Sequence, residues 1–197
     1  NVLCRRYNLK GNLLMNLKFE ELSWLFNDLM MDMTAPSIVF KELGQIPGFV
    51  PENPSYLSIN RMCLSQLIIA LCKFHEIYSK FGVYDLEFKT MPQELFNSLQ
   101  SIDSEITRRE IYKFRNVYVG HAFKERRKGP KIMSRKPLSL EEGQSRLNTI
   151  VANDYLDFYD WVCPQDLKSS DGSSVVEIIT RARDYCNEQG PEKLIRT

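Results

Sequence analysis

The residues best suited to chemistry lie in one short stretch, 115–121, which reads Arg-Asn-Val-Tyr-Val-Gly-His. Cutting RNA by attack of the ribose 2′-hydroxyl requires a group that moves protons near neutral pH. It also requires fixed positive charge that meets the charge developing on the phosphate. The imidazole of His121 suits the first task and the guanidinium of Arg115 suits the second. Asn116 could orient the imidazole or donate to the phosphate. The stretch is therefore a candidate metal-independent ribonuclease centre.

Spacing within the stretch limits how these side chains can meet. Arg115 and His121 are six positions apart, about 9 Å along a regular helix and roughly 120° around it. An unbroken helix would not place them side by side, but Gly120 is a point where the helix can loosen and turn His121 back. A two-fold homodimer would instead bring two copies of the motif into one composite active site. The alternative is a surface arginine and a histidine that caps the helix end.

A strongly basic segment follows the motif, and we predict a loop over 124–137. From Lys124 to Lys136, seven basic residues and one acidic residue give a net charge of +6, whereas the whole chain of 197 residues carries +1. Local clustering, not overall charge, would therefore attract an RNA backbone. The residues predicted to bind RNA are Lys124, Arg126, Arg127, Lys128 and Lys131. Tyr118 could stack on a base, with burial in the core as the alternative. A solvated mobile loop would give the same charge pattern.

The rest of the chain is predicted to form an all-α, up-and-down bundle of five to six helices in one domain, 1–197. No alternating strand pattern is present, and apolar residues recur at helical spacing. The predicted helices cover 12–33, 58–81, 93–101, 104–118, 139–163 and 174–189, with a short one at 37–43. The remaining segments are a proline-rich loop at 34–56, the basic loop and a C-terminal helix and tail at 173–197.

Outside the stretch 115–121 and the basic segment, the sequence offers few candidate sites. His75 lies near the end of the buried helix 58–81, and no partner in the sequence supports a catalytic role, so we expect a structural histidine that is partly exposed or satisfied in the core. Five cysteines without a Cys-x-x-Cys pair argue against zinc and favour free thiols in a reducing cytoplasm. No phosphate-binding loop or other cofactor motif is present, so no cofactor or metal is expected. The most apolar run, 62–72, is too short to cross a membrane.

The stretch 115–121 resembles the shared motif of the HEPN domains (higher eukaryotes and prokaryotes nucleotide-binding), in which an arginine and a polar residue precede a histidine. The following Pro-Leu-Ser-Leu-Glu-Glu at 137–142 is similar to the abortive-infection branch of that family. The resemblance covers about 104–162. It implies a homodimeric helical bundle that cleaves RNA without metal, leaves a 2′,3′-cyclic phosphate and serves as a toxin or in anti-phage defence.

The same resemblance implies an antitoxin or another regulatory partner. Branch members paired with nucleotidyltransferase antitoxins often carry a tyrosine two positions after the histidine, as a modification target. Here that position is Phe123, so modification of a tyrosine there is not available. The alternative to an enzyme is a non-catalytic HEPN-like helical module that binds a protein partner or a nucleotide.

Overall fold

The fold is all-α, as predicted, with a two-stranded hairpin attached. The computed structural model describes residues 2–115, 123–128, 131–137, 139–151, 154–165 and 171–190, with the backbone alone for 2–16, 123–128, 131–137 and 140. Within these residues eight α-helices pack around one hydrophobic core, which exceeds the predicted number. The helices are α1 Val2–Leu43, α2 Pro54–His75, α3 Asp85–Thr90, α4 Gln93–Arg108, α5 Ile111–Phe114, α6 Leu140–Val151, α7 Tyr155–Val162 and α8 Val175–Gln189.

Helix α1 is the longest element and packs along both α2 and α8. The prediction of a loop from residue 34 is wrong, because α1 continues through Pro36 to Leu43. Tertiary contacts beyond the proline outweigh its missing backbone donor. Phe40 is buried and stacks on Tyr159 with ring centroids 4.5 Å apart. The buried ammonium of Lys41 pairs with Asp160 and donates to the carbonyl of Cys163 at 2.8 Å. These contacts join the end of α1 to α7.

Helix α2 forms the centre of the core. It begins at Pro54, where the Asn53 side chain accepts from the backbone of Ser55, and it runs into a π-helical turn, Glu76–Lys80, hereafter the π-turn. Together they form a 27-residue segment, Pro54–Lys80, long and apolar enough to cross a membrane, with mean hydropathy 1.3 and 44% of its most apolar window buried. Core helices of globular bundles have the same length and composition, so this is weak support for a membrane span.

Two predicted helices are divided in the structure. The predicted start of the helix 104–118 is wrong. Helix α4 ends at Arg108, and α5 begins at Ile111, after Glu110, whose φ is 54°. Arg109 stabilises this break: it donates to the carbonyl of Ile150 and lies 4.9 Å from the ring of Trp161. The predicted helix 139–163 is also divided, into α6 and α7, and the side chain of Asp154 caps α7 by accepting from two backbone amides.

The prediction that the basic segment 124–137 is a loop is wrong. Residues Phe123–Lys128 form strand β1 and Lys131–Pro137 form β2, paired antiparallel with an irregularity between Arg126 and Arg127. Eight of the fourteen residues in 124–137 are charged. The alternation that marks a half-buried strand is absent from this segment, so the hydrophobic pattern could not indicate it.

The end of the described chain follows the sequence prediction closely. Helix α8 begins after Ser174, which forms a capping box with Glu177, and it ends at Gln189. The apolar stripe predicted for this helix lies in the core at Val175, Ile178, Ile179 and Ala182, and its last member, Tyr185, is partly buried against the core. A local capping signal and a helical stripe agree here, and this prediction is confirmed.

Candidate ribonuclease site

Arg115 is the one predicted catalytic residue whose side chain the structure describes. It directly follows α5 and is 37% exposed. Asn116, Tyr118 and His121 lie outside the described residues. The predicted RNA-binding residues Lys124, Arg126, Arg127 and Lys128 lie on β1, and Lys131 begins β2. The structure thus locates the arginine and the backbone of the basic segment.

Helix α5 is held by burial on one side, which leaves Arg115 at the surface. Ile111 and Phe114 are buried in the core, and α5 contacts α2, α4 and α6. The left-handed backbone of Glu110, which non-glycine residues rarely adopt, turns the chain between α4 and α5. Arg115 directly follows the buried Phe114 at the end of α5 and lies at the surface. The burial of Ile111 and Phe114 therefore fixes the backbone that precedes Arg115.

Arg115 belongs to a cluster with Glu76, Lys80 and Tyr112. Its Nη1 lies 3.3 Å from Oε1 of Glu76, and Lys80 Nζ lies 3.6 Å from the same oxygen. The Tyr112 hydroxyl donates to that oxygen at 3.0 Å and accepts from Lys80. Among the described side chains, one carboxylate thus contacts two cations. The cluster keeps an excess positive charge at the surface, which is what an anion such as a phosphate requires.

Glu76 and Lys80 lie four positions apart on the π-turn, and both reach this cluster. An extra residue in the helical turn rotates the side chains that follow relative to a regular α-helix, and such turns are frequent at functional sites. No side chain of the π-turn is fully buried, whereas α2 before it is the centre of the core. The sequence showed an unbroken apolar pattern and gave no sign of this change.

Cys72 lies one turn before Glu76 but is not a nucleophile. Burial raises the pKa of its thiol to about 12, although the nearby charge of Arg115 acts in the opposite direction. The thiol is therefore protonated at neutral pH and behaves as a small apolar group. Cys63, Cys163 and Cys186 are likewise buried free thiols, which agrees with the expectation of unpaired cysteines.

His75 has partners that sequence reasoning missed. Its Nδ1 lies 2.7 Å from Oδ1 of Asp103 on α4 and 3.1 Å from the hydroxyl of Ser79 on the π-turn. Its ring centroid lies 5.4 Å from that of Tyr112, which connects it to the Arg115 cluster. The four-residue spacing of His75 and Ser79 was visible in the sequence. Asp103 is 28 positions away, so only the fold could identify it.

An apolar cleft of about 360 Å³ adjoins the cluster and shares Glu76 with it. The cleft is lined by Leu25, Asp28, Leu29, Lys73, Glu76, Ile77, Phe81, Val83 and Tyr84. Lys80 connects the two regions, because its Nζ lies 4.2 Å from the ring centroid of Tyr112 and 5.2 Å from that of Phe81. The lining is mostly apolar, with Asp28, Lys73 and Glu76 as its charged residues.

The hairpin register places like charges opposite each other. Lys124 pairs with Lys136 and Lys128 pairs with Lys131, whereas Glu125 pairs with Arg135. Like charges directly opposite on neighbouring strands disfavour pairing. The hairpin thus concentrates basic residues along both strands of one short element.

The comparisons with known proteins bear on the fold. No family model matches the chain, and no curated protein matches it. A similar solved structure is the integron cassette protein Vpc_cass2 from the mobile metagenome of V. paracholerae. It is 24% identical over 86% of this chain and 95% of its own, with a TM-score of 0.64. The two proteins share this helical fold.

Proposed function

We propose that the protein is a metal-independent endoribonuclease of the HEPN type, in which Arg115 binds the scissile phosphate, His121 transfers a proton, Asn116 orients and the basic hairpin holds the RNA. The observation that carries the proposal is the excess positive charge at Arg115. Two cations share the Glu76 carboxylate at a half-exposed position. A planar guanidinium next to a helix anchored in the core is suited to a phosphate whose charge grows during the reaction.

The proposed reaction needs no cofactor. The ribose 2′-oxygen attacks phosphorus, the bond to the 5′-oxygen breaks, and the products end in a 2′,3′-cyclic phosphate and a 5′-hydroxyl. Arg115 and Lys80 would stabilise the charge on the non-bridging oxygens. In this proposal the active unit is a homodimer that pairs two motifs, and the role as a toxin or in anti-phage defence rests on the resemblance of the motif to the HEPN family.

The test is incubation of the purified protein with total RNA or tRNA in EDTA, beside His121→Ala and Arg115→Ala. We expect cleavage in EDTA with cyclic phosphate ends, and a loss of about 10²-fold or more in each variant. Circular dichroism and thermal unfolding should be nearly unchanged. Unfolding of the variants would instead indicate a structural role for these residues.

The second candidate is a non-catalytic helical module that binds a protein partner or a nucleotide. The apolar cleft beside the π-turn favours it, because such a cleft can hold a ligand without any reaction. Nucleotide or partner binding that survives His121→Ala, with no RNA product from the native protein, would support the module and contradict the enzyme.

A further inference from the structure

The proposed cleavage requires two proton transfers, and the motif of one chain supplies one histidine. The 2′-hydroxyl must lose a proton as it attacks, and the leaving 5′-oxygen must gain one. The whole chain contains two histidines, His75 and His121. A second copy of His121 in a dimer is one source for the second transfer. His75, connected to Arg115 through Tyr112, is a source within the same chain.

His75 is held in the manner of a proton-transfer residue. A carboxylate, Asp103 Oδ1, lies 2.7 Å from Nδ1, and the Ser79 hydroxyl contacts both groups at 3.1 and 3.2 Å. A carboxylate at Nδ1 selects the tautomer with the proton on that nitrogen and leaves the lone pair on Nε2. Among the described residues, Nε2 has no hydrogen-bond partner. The side chain of His75 is 22% exposed, so it is not sealed in the core.

Tyr112 contacts both His75 and Arg115. The Tyr112 ring lies 5.4 Å from the His75 ring centroid and 5.8 Å from Cζ of Arg115. The same tyrosine donates to Glu76, which contacts Arg115. Asp103 from α4 contacts the imidazole, and Glu76, Lys80 and Arg115 contact the neighbouring Tyr112. For His75 to act on a phosphate bound at Arg115, the ribose attached to that phosphate must lie at this ring.

We propose that His75 is the general base of the reaction, a role that rests on the proposed ribonuclease function. Nε2 of His75 takes the proton of the 2′-hydroxyl while the 2′-oxygen forms its bond to phosphorus. His121 gives a proton to the 5′-oxygen as the bond from phosphorus to that oxygen breaks. Exchange with water then returns a proton to His121 and removes one from His75. Asp103 is a positioning residue that keeps Nδ1 protonated.

The test compares an ordinary RNA dinucleotide with one in which sulfur replaces the bridging 5′-oxygen, because a thiolate leaves without a proton donor. We expect His75→Gln to lose about 10²-fold or more in rate on both substrates. His121→Ala should cleave the oxygen substrate more slowly by a similar factor. It should cleave the sulfur substrate at close to the native rate. The reverse pattern, with His75→Gln recovering, would overturn the assignment of His75 as base. If His75→Gln cleaves at the native rate, His75 is not the base, and the two copies of His121 in a dimer must carry out both proton transfers.

Asp103→Asn provides a second variant that keeps size and packing. The asparagine amide can donate to Nδ1, which would favour the opposite tautomer, so we expect slower cleavage together with a change in the ring ¹⁵N resonances of His75. Ser79→Ala is the matched control, since it removes a contact to the same nitrogen without changing the tautomer. An unchanged ¹⁵N spectrum and rate in Asp103→Asn would contradict the positioning role.

One measurement separates failure of this inference from failure of the proposed function. A 2′-deoxy oligonucleotide has no nucleophile and binds without being cut. With two histidines in the chain, its effect on each imidazole can be read from the ¹⁵N spectrum. We expect the Nε2 resonance of His75 to shift on binding. Cleavage by the native protein with no such shift would refute the role of His75 alone, whereas absence of cleavage by the native protein would refute both proposals.

Discussion

The carboxylate of Glu76 offers a test of the site that does not depend on the motif histidine. It accepts from Arg115 and Tyr112 and lies 3.6 Å from Lys80, with 25% of its side chain exposed. Glu76→Gln keeps the length and the hydrogen-bonding oxygen but removes the negative charge. If Arg115 binds a phosphate, this carboxylate opposes the binding while it orients the guanidinium. The substitution should therefore strengthen RNA binding and slow cleavage.

The size of the binding effect follows from Coulomb's law. A phosphate bound to Arg115 would place its charge roughly 7 Å from the Glu76 carboxylate, and effective dielectric constants between about 40 and 80 give about 0.6–1.2 kcal/mol of repulsion. Its removal corresponds to about three- to sevenfold tighter binding. The cost in folding stability should stay below about 1 kcal/mol, because both partners of the Arg115–Glu76 pair are partly exposed.

The assay is fluorescence anisotropy of a 2′-deoxy oligonucleotide at low salt, where screening over this distance is weak. Glu94→Gln is the control: it makes the same charge change on α4, at an exposed residue with no ion pair among the described side chains. We expect a lower Kd for Glu76→Gln and a nearly unchanged Kd for Glu94→Gln. Equal or weaker binding by Glu76→Gln would refute the placement of phosphate at Arg115.

Three further predictions concern the fold. Ser174→Ala removes the capping box of α8 and should lower the free energy of unfolding in urea by about 0.5–2 kcal/mol. Arg108 and then Arg109 lower the pKa of Glu105 to about 2, so its stabilisation is present above its ordinary pKa near 4.5 and is lost as pH falls toward 2. Glu105→Gln should therefore be less stable than the native protein at pH 7, with a difference that disappears over that range; a constant difference would contradict the ion-pair explanation. Because burial raises the pKa of Cys72 to about 12, a variant with Cys72 as its sole cysteine should react with a thiol reagent at pH 8 only after unfolding, and rapid reaction of the folded form would show that the thiol is accessible.

Features with local signals were predictable from the sequence. On α1, apolar residues at helical spacing lie in the core at Leu22, Phe26, Leu29 and Met33 and are partly buried at Leu25, as the predicted helix 12–33 indicated. The capping box at Ser174 marked the start of α8 correctly. Burial of a helical face is encoded by residues three and four positions apart, so one segment contains all the information that is needed.

Features that depend on distant residues were not predictable. The continuation of α1 through Pro36 depends on Lys41 meeting Asp160, and the break before α5 depends on Arg109 meeting Trp161. Each pair is brought together only by the packed bundle. The candidate site divides in the same way: Arg115 could be found from its motif, whereas its contact with Glu76 and the pairing of His75 with Asp103 required the fold.

The charge pattern of the hairpin has a thermodynamic consequence. Its register sets lysine against lysine at both ends, Lys124 with Lys136 and Lys128 with Lys131, so electrostatic repulsion opposes the strand pairing. A polyanion that neutralises these positions relieves the repulsion and therefore binds the paired form more tightly than the open one. By linkage, the same ligand stabilises the paired hairpin, and the stabilisation increases with the logarithm of the ligand concentration once this exceeds the Kd. Strand pairing and anion binding are thus one coupled equilibrium. Added salt has two effects on it: it weakens the binding of the anion, and it screens the repulsion between the lysines.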